Sequence, residues 1–302
     1  MSPQVLLDGA IAGAMIGLGA IGVTLTYSIL RFANFAHGDF LAWGAYFALA
    51  LSGAIGALAG GLAAPIEPFS FGWSLPLALL LAVPLTAGLA LLVDALLFGP
   101  LRARRSAVII LVMASFGAAL TLRSLLEFTF TSRPAYFTSE LQIALRFGPV
   151  RATPDQLLTL AVAAVLVLLV HLLLTRTTLG RSMRAVSENP ALAGVVGVDV
   201  RRVVRFAWIL GAGLACVAGV MAGLLVQIRP QMGLDLLLPL FAAAILGGIG
   251  SIPGAMLAGL VVGIAEAATV QLVGAEWRAA VAFVILIAIL LLRPQGIFGR
   301  AD

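Results

Sequence analysis

Few side chains in this 302-residue sequence can do chemistry: 13 acids, two histidines and one cysteine, Cys216. The densest group lies in Arg31-Phe32-Ala33-Asn34-Phe35-Ala36-His37-Gly38-Asp39-Phe40, where Asn34, His37 and Asp39 interrupt apolar sequence. Ionisable groups near a membrane interior are costly and usually face a cavity or a partner. Two readings stand: these groups line a solute route, or they mark a turn in which Asp39 caps the next helix. Glu266 stands in the middle of an apolar run, with no arginine at a neighbouring turn. It either lines the route or is protonated and bonded to a neighbouring helix. Asp94 is expected to pair with Arg102 or another interfacial arginine, Arg123 to pair with Glu127 four residues on, and His171 to lie at the interface. No nucleophile–base pair and no metal-ligand spacing appears, so the sequence offers neither a catalytic site nor a metal centre.

The elements that must position these residues are hydrophobic helices. Hydrophobic residues make up 62% of the chain and charged residues 10%, and the mean hydropathy is +1.14. A soluble domain carries about a quarter charged residues, because its surface faces water. A spanning helix takes roughly 20 residues, so the chain holds material for about eight or nine. Apolar runs fall at 5–30, 36–52, 74–98, 107–127, 156–175, 204–227, 235–250, 254–273 and 279–292. The expected fold is an all-α polytopic transmembrane bundle, a single membrane domain over residues 1–302. Runs 36–52 and 235–250 are short enough to be broken or re-entrant. Residues 1–8 lack a basic region, and the run after them is long enough to span, so no cleavable signal peptide is expected.

All 18 basic residues are arginine. A P-loop needs a lysine to reach the β- and γ-phosphates, so the chain supplies no Walker A site. The net charge of +5 does not point to nucleic acid, since the arginines sit in short segments between apolar runs. If the runs alternate sides, twelve arginines share one face: Arg31, Arg102, Arg104, Arg105, Arg176, Arg181, Arg184, Arg201, Arg202, Arg205, Arg293 and Arg300. Five lie opposite, and Arg123 falls within a run. The positive-inside rule puts the twelve in the cytoplasm, giving an outside N-terminus and nine crossings. Long loops are then expected at 128–155 outside and at 176–203 inside. Gly9, Gly13 and Gly17, like Gly219 with Gly223 and Gly259 with Gly263, recur every four residues and mark faces where helices approach closely.

Within the inside loop, Asn189 suits a helix N-cap, Pro190 the first helical position and Gly197 a C-terminal stop. The spacing predicts a short helix over 186–197, too short to be stable alone. Its Leu192, Val195 and Val196 would seek a partner's groove or rest on lipid headgroups. Gly247, Gly248, Gly250 and Gly254 with Pro253 cannot form a good continuous helix. That break is read as backbone lining a cavity or as a cytoplasmic turn.

Asn34-Phe35-Ala36-His37-Gly38 resembles the signature of the branched-chain amino acid ABC-transporter permease family, specifically its LivH-type subunits. The loop Arg184–Gly197 is similar to the cytoplasmic coupling loop of bacterial ABC-importer permeases. The break at Leu246–Gly254 and the closing Arg293-Pro294-Gln295-Gly296-Ile297-Phe298-Gly299 fit the same family in order. The resemblance covers nearly the whole chain; no residue of 128–155 is carried over.

That resemblance implies two cytoplasmic ABC ATPase subunits, a second related permease chain forming a heterodimer, and a periplasmic substrate-binding protein. It implies a multi-pass subunit in the bacterial inner membrane that moves branched-chain or related amino acids, amides or urea. ATP and Mg would be bound by the partner subunits, with no cofactor in this chain. Arg184, Glu188, Asn189, Pro190, Leu192, Ala193 and Gly197 would couple to the ATPase. Asn34, His37, Gly38, Asp39, Gly247, Gly248, Gly250 and Glu266 would lie along one translocation cavity. A secondary transporter or channel without an ATPase is the alternative, and it would need coupling-ion carboxylates that the runs scarcely supply.

Overall fold

The computed structural model describes residues 2–138, 140, 142–293 and 295–299. Helices α1 (Pro3–Leu30), α2 (His37–Leu58), α3 (Ser74–Val93), α4 (Gly99–Ala103) and α5 (Val108–Phe130) form the first half. A hairpin of β1 (Leu145–Phe147) and β2 (Val150–Ala152) leads into α6 (Pro154–Arg176), α7 (Thr178–Glu188) and α8 (Pro190–Val195). The chain closes with α9 (Val200–Leu225), α10 (Met232–Gly247), α11 (Ile252–Leu272) and α12 (Arg278–Leu292). Among the described residues, eight helices are long and apolar enough to cross a membrane, counting α3 with α4 and α12 with its preceding turn. The chain is a multi-pass helical bundle.

The glycine spacings explain its centre. α1 and α11 run antiparallel with their glycines interleaved. A Cβ on Gly9 would lie 2.5 Å from the Cα of Ile264, and one on Gly13 would lie 2.6 Å from the Cα of Leu260. A Cβ on Gly263 would meet Gly13 Cα at 2.5 Å. Only residues without side chains let the backbones come this close, which in lipid supplies the packing attraction that hydrophobicity cannot. α1 and α9 are buried over most of their surface, while α5, α6 and α12 present leucine, valine and phenylalanine outward.

The loops sort into two faces. On one, Gln4 exchanges hydrogen bonds with the Arg151 backbone (3.0 and 2.8 Å), and Ala135 pairs with Ile228. Asp155 at the start of α6 accepts bonds from Ser70 and from Gln142. On the other, Arg31 donates to the carbonyls of Ser187 and Glu188 (3.0 and 2.8 Å), and the Ile297 N–H donates to the Leu246 carbonyl. Every link joins segments that alternation had placed together. Arg300 and Pro294 lie outside the described residues.

Two elements depart from simple crossing. α1 ends at Arg31, whose φ of 58° is left-handed, and residues 32–36 turn back into the bundle. Phe32, Asn34 and Ala36 are buried there. His37 opens α2 level with Gly22, against which its Cε1 and Nε2 pack; Gly22 is eight residues, or about 12 Å, short of the end of α1. From the opposite face, residues 226–231 reverse and α10 begins at Met232. The run at 36–52 is therefore a full-length helix with a buried start. The run at 235–250 is a 16-residue helix of about 24 Å, too short for a hydrocarbon core of about 30 Å. Among the described residues, the nine apolar runs, of which 36–52 and 235–250 were expected to be short or broken, become eight long helices and the short α10.

Candidate functional site

The first turns of α2 and α10 meet inside the bundle. A Cβ on Gly38 would lie 2.9 Å from the Gly233 carbonyl carbon, and one on Gly233 would lie 2.6 Å from that of Gly38. Helix N-termini carry partial positive charge, and each first turn here holds an acid, Asp39 or Asp235. Asp39 is 1% exposed and is held by Arg123 of α5 at 3.3 Å. Asn34 Oδ1 accepts from the Ala36 N–H at 3.1 Å, an Asx turn that shapes the entrance to α2. Phe40 and Phe98 pack on Trp208, and Phe98 also on Phe32, so an aromatic cluster seals the arginine-rich side of this junction. Arg123 therefore does not pair with Glu127 as the four-residue spacing suggested. Arg123 turns inward to Asp39, and Glu127 accepts instead from Gln231 Nε2 at 2.9 Å.

The glycine break is a tight turn at the arginine-rich face. Gly248 and Gly250 have φ of 88° and 90°, a left-handed backbone that glycine adopts without penalty. The Gly250 N–H donates to Thr24 Oγ1 at 2.7 Å, and Ser251 caps α11 through the Gly254 N–H. Gly248 packs on the backbone of Gly299, and Gly247 on that of Gly254 and Ala255. The closing segment thus clamps the turn. Asp94, in the π-type turn between α3 and α4, pairs with Arg102 at 2.7 Å.

Glu266 belongs to the other face. It is 1% exposed, six residues from the end of α11, and not at mid-span. Arg278, at the start of α12, reaches it with Nε at 2.8 Å. A search at neighbouring turns of one helix could not find this partner, because the chain reverses between the two residues. Glu266 lines a cavity of about 320 Å³ with Met15, Met232, Leu236 and Arg278. The eight residues expected along one cavity are therefore split. Asn34, His37, Gly38 and Asp39 meet at the α2–α10 junction, Gly247, Gly248 and Gly250 form the turn, and Glu266 lines the cavity at the opposite face.

The segment expected to couple to an ATPase is two helices, not one. α7 is amphipathic; Met183 and Val186 are buried, and Arg184 donates to the Leu174 carbonyl. Asn189 breaks it, and its Oδ1 caps α8 by accepting from the Ala191 and Leu192 N–H groups at 3.1 and 3.0 Å. Pro190 takes the first helical position and Gly197, with φ of 87°, the stop. Ala193 is buried against this chain, whereas Leu192, Val195 and Val196 are 61%, 83% and 70% exposed. The Glu188 carbonyl accepts from Arg31, which ties the α7–α8 corner to the end of α1.

Comparison with known proteins agrees with this architecture. The family described as "Branched-chain amino acid transport system / permease component" matches residues 5–290. The high-affinity branched-chain amino acid transport system permease protein LivH of Escherichia coli K12 is 30% identical, over 99% of this chain and 96% of its own. BraD of Pseudomonas aeruginosa PAO1, described in the same words, is 31% identical over 99% and 96%. Among solved structures, a chain of "PsaBC from Streptococcus pneumoniae in complex with Fab" aligns with a TM-score of 0.51. It is 13% identical, covering 96% of this chain and 92% of that one, and so speaks for the fold alone. The chain belongs to the permease-component family of branched-chain amino acid transport systems.

Proposed function

We propose that this chain is the membrane-spanning permease subunit of an ABC importer, moving branched-chain or related amino acids across the inner membrane with energy from separate ATPase subunits. The observation that carries the coupling is the exposed apolar patch of α8, Leu192, Val195 and Val196, on a corner anchored to α1 through Arg31. Three aliphatic side chains bared at an arginine-rich face suit a helix-in-groove contact. Two cytoplasmic ATPase subunits, holding ATP and Mg, would press on α8. Arg31 would pass that motion to α1, and α1 carries it to α11 through the interlocked glycines.

A second related permease chain completes the heterodimer, and a periplasmic binding protein delivers cargo at the opposite face. There the β1–β2 hairpin and the Asp155 network hold an ordered cap. Uphill import against a gradient needs the ATPase, which matches a chain with no lysine.

The test is a site-directed cross-link. Val195→Cys, in a Cys216→Ser background, is expected to form an intermolecular disulfide with cysteines placed around the cleft of the co-expressed ATPase. Val195→Glu is expected to release the ATPase during purification while leaving the permease folded. If Val195→Glu and Leu192→Asp both retain ATPase and full uptake, the coupling assignment fails.

A further inference from the structure

A buried polar atom left over by the fold belongs to a side chain that lines a cavity. Glu266 Oε2 accepts from Arg278, while Oε1 is buried without a hydrogen-bond partner, and the side chain lines the 320 Å³ cavity. A buried acceptor left unsatisfied is costly, because it gives up its bonds to water and gains none in return. Its retention is explained if something donates to it during the working cycle.

The rest of the cavity says what. Its charged lining is Glu266, Glu276 and Asp235 against Arg229 and Arg278, three carboxylates to two guanidinium groups. Arg229 and Asp235 are paired with each other at 2.9 Å and half exposed. Arg278 gives Glu266 one of its five N–H donors and, among the described residues, makes no other hydrogen bond. The facing wall is apolar, formed by Met15, Ala222, Met232 and Leu236. A small molecule with an ammonium group, a carboxylate and an aliphatic side chain has a counterpart for each part. The volume is at the low end of the roughly 300–1,000 Å³ of ligand pockets.

Resting on the importer reading above, we propose that this cavity is an outer-face subsite for the zwitterionic head of the cargo. Glu266 Oε1 receives the ammonium group and the terminal nitrogens of Arg278 receive the carboxylate. The site sits between the 226–231 reversal, α11 and the turn before α12, at the face where cargo would arrive. Thioethers and a short helix make a wall that adapts to different aliphatic side chains. The head is therefore recognised strictly and the side chain loosely.

The experiment uses the complete complex in proteoliposomes, with binding protein, and reads ATP-driven uptake of leucine. Glu266→Gln keeps an oxygen for Arg278 and the side chain's shape but loses the charge. It is expected to raise the KM for leucine by about tenfold to a hundredfold. Leucine, but not 4-methylpentanoate, which lacks the amine, is expected to protect a Met232→Cys variant (in Cys216→Ser) from alkylation. Wild-type KM in Glu266→Gln overturns the subsite, as does equal protection by both compounds or none by leucine. The protection arm stands even where Glu266→Gln fails to assemble. A wild-type complex that imports no branched-chain amino acid overturns the importer reading itself.

Discussion

Asp39 and Arg123 form an ion pair whose members are 1% and 13% exposed. Removing one partner of such a pair strands the other charge, which costs about 3–5 kcal/mol, whereas removing both together costs much less. Asp39→Asn and Arg123→Met are each expected to lower the melting temperature in detergent sharply. The double variant should be more stable than Arg123→Met alone, and strictly additive losses would exclude the pairing. The residue types here were legible in the sequence, but the partners were not. Arg123 with Glu127 followed from helical spacing and failed, and the same spacing could not name Arg278 as the partner of Glu266, for one reason. In an apolar bundle, charges find partners on other helices, where they escape lipid, and spacing along one helix does not report those contacts. Asp94 with Arg102 was legible because a single continuous helical segment carries both.

At the scale of elements, the glycine stripes are the most direct link from sequence to packing. Gly13→Ala would place a methyl 2.6 Å from Leu260 Cα and 2.8 Å from the Gly259 carbonyl oxygen. Backbone cannot move aside as a side chain can, so a cost of about 1–3 kcal/mol is expected. Gly53→Ala meets nothing within 4 Å and should stay within about 0.5 kcal/mol. Thermal unfolding of both variants checks the contrast. The period of four was visible in the sequence, but which glycines faced which was not, because pairing depends on long-range assembly. The short α10 and the buried start of α2 were partly legible as short apolar runs. Their meeting at Gly38 and Gly233 was not, since no local pattern joins residues nearly two hundred positions apart. The caps at Asn189, Ser251 and Thr153 are purely local, and the first stands where residue type suggested.

For the whole molecule, arginine placement and hydrogen-bonded loops describe the same two faces. In sealed inside-out vesicles carrying Cys216→Ser, a cysteine at Gly194, exposed on α8, should react with an impermeant thiol reagent. One at Arg146, exposed on β1, should stay protected until the vesicles are opened. The reverse pattern would invert the molecule and remove α8 from reach of any cytoplasmic ATPase. Among the described residues, six of the eight long helices surround the buried pair α1 and α9, and on the proposed reading α1 would carry a push from the arginine-rich face toward the Glu266 cavity. α1 touches the α7–α8 corner at one end and α11 along its length. The measurement that tests this most directly is leucine uptake by proteoliposomes holding the purified complex and binding protein, with ATP supplied to the α8 face. Uptake against a gradient that needs ATP, and that Val195→Glu abolishes without unfolding the permease, is the predicted result. Uptake that proceeds without ATP, or that survives Val195→Glu undiminished, would contradict it.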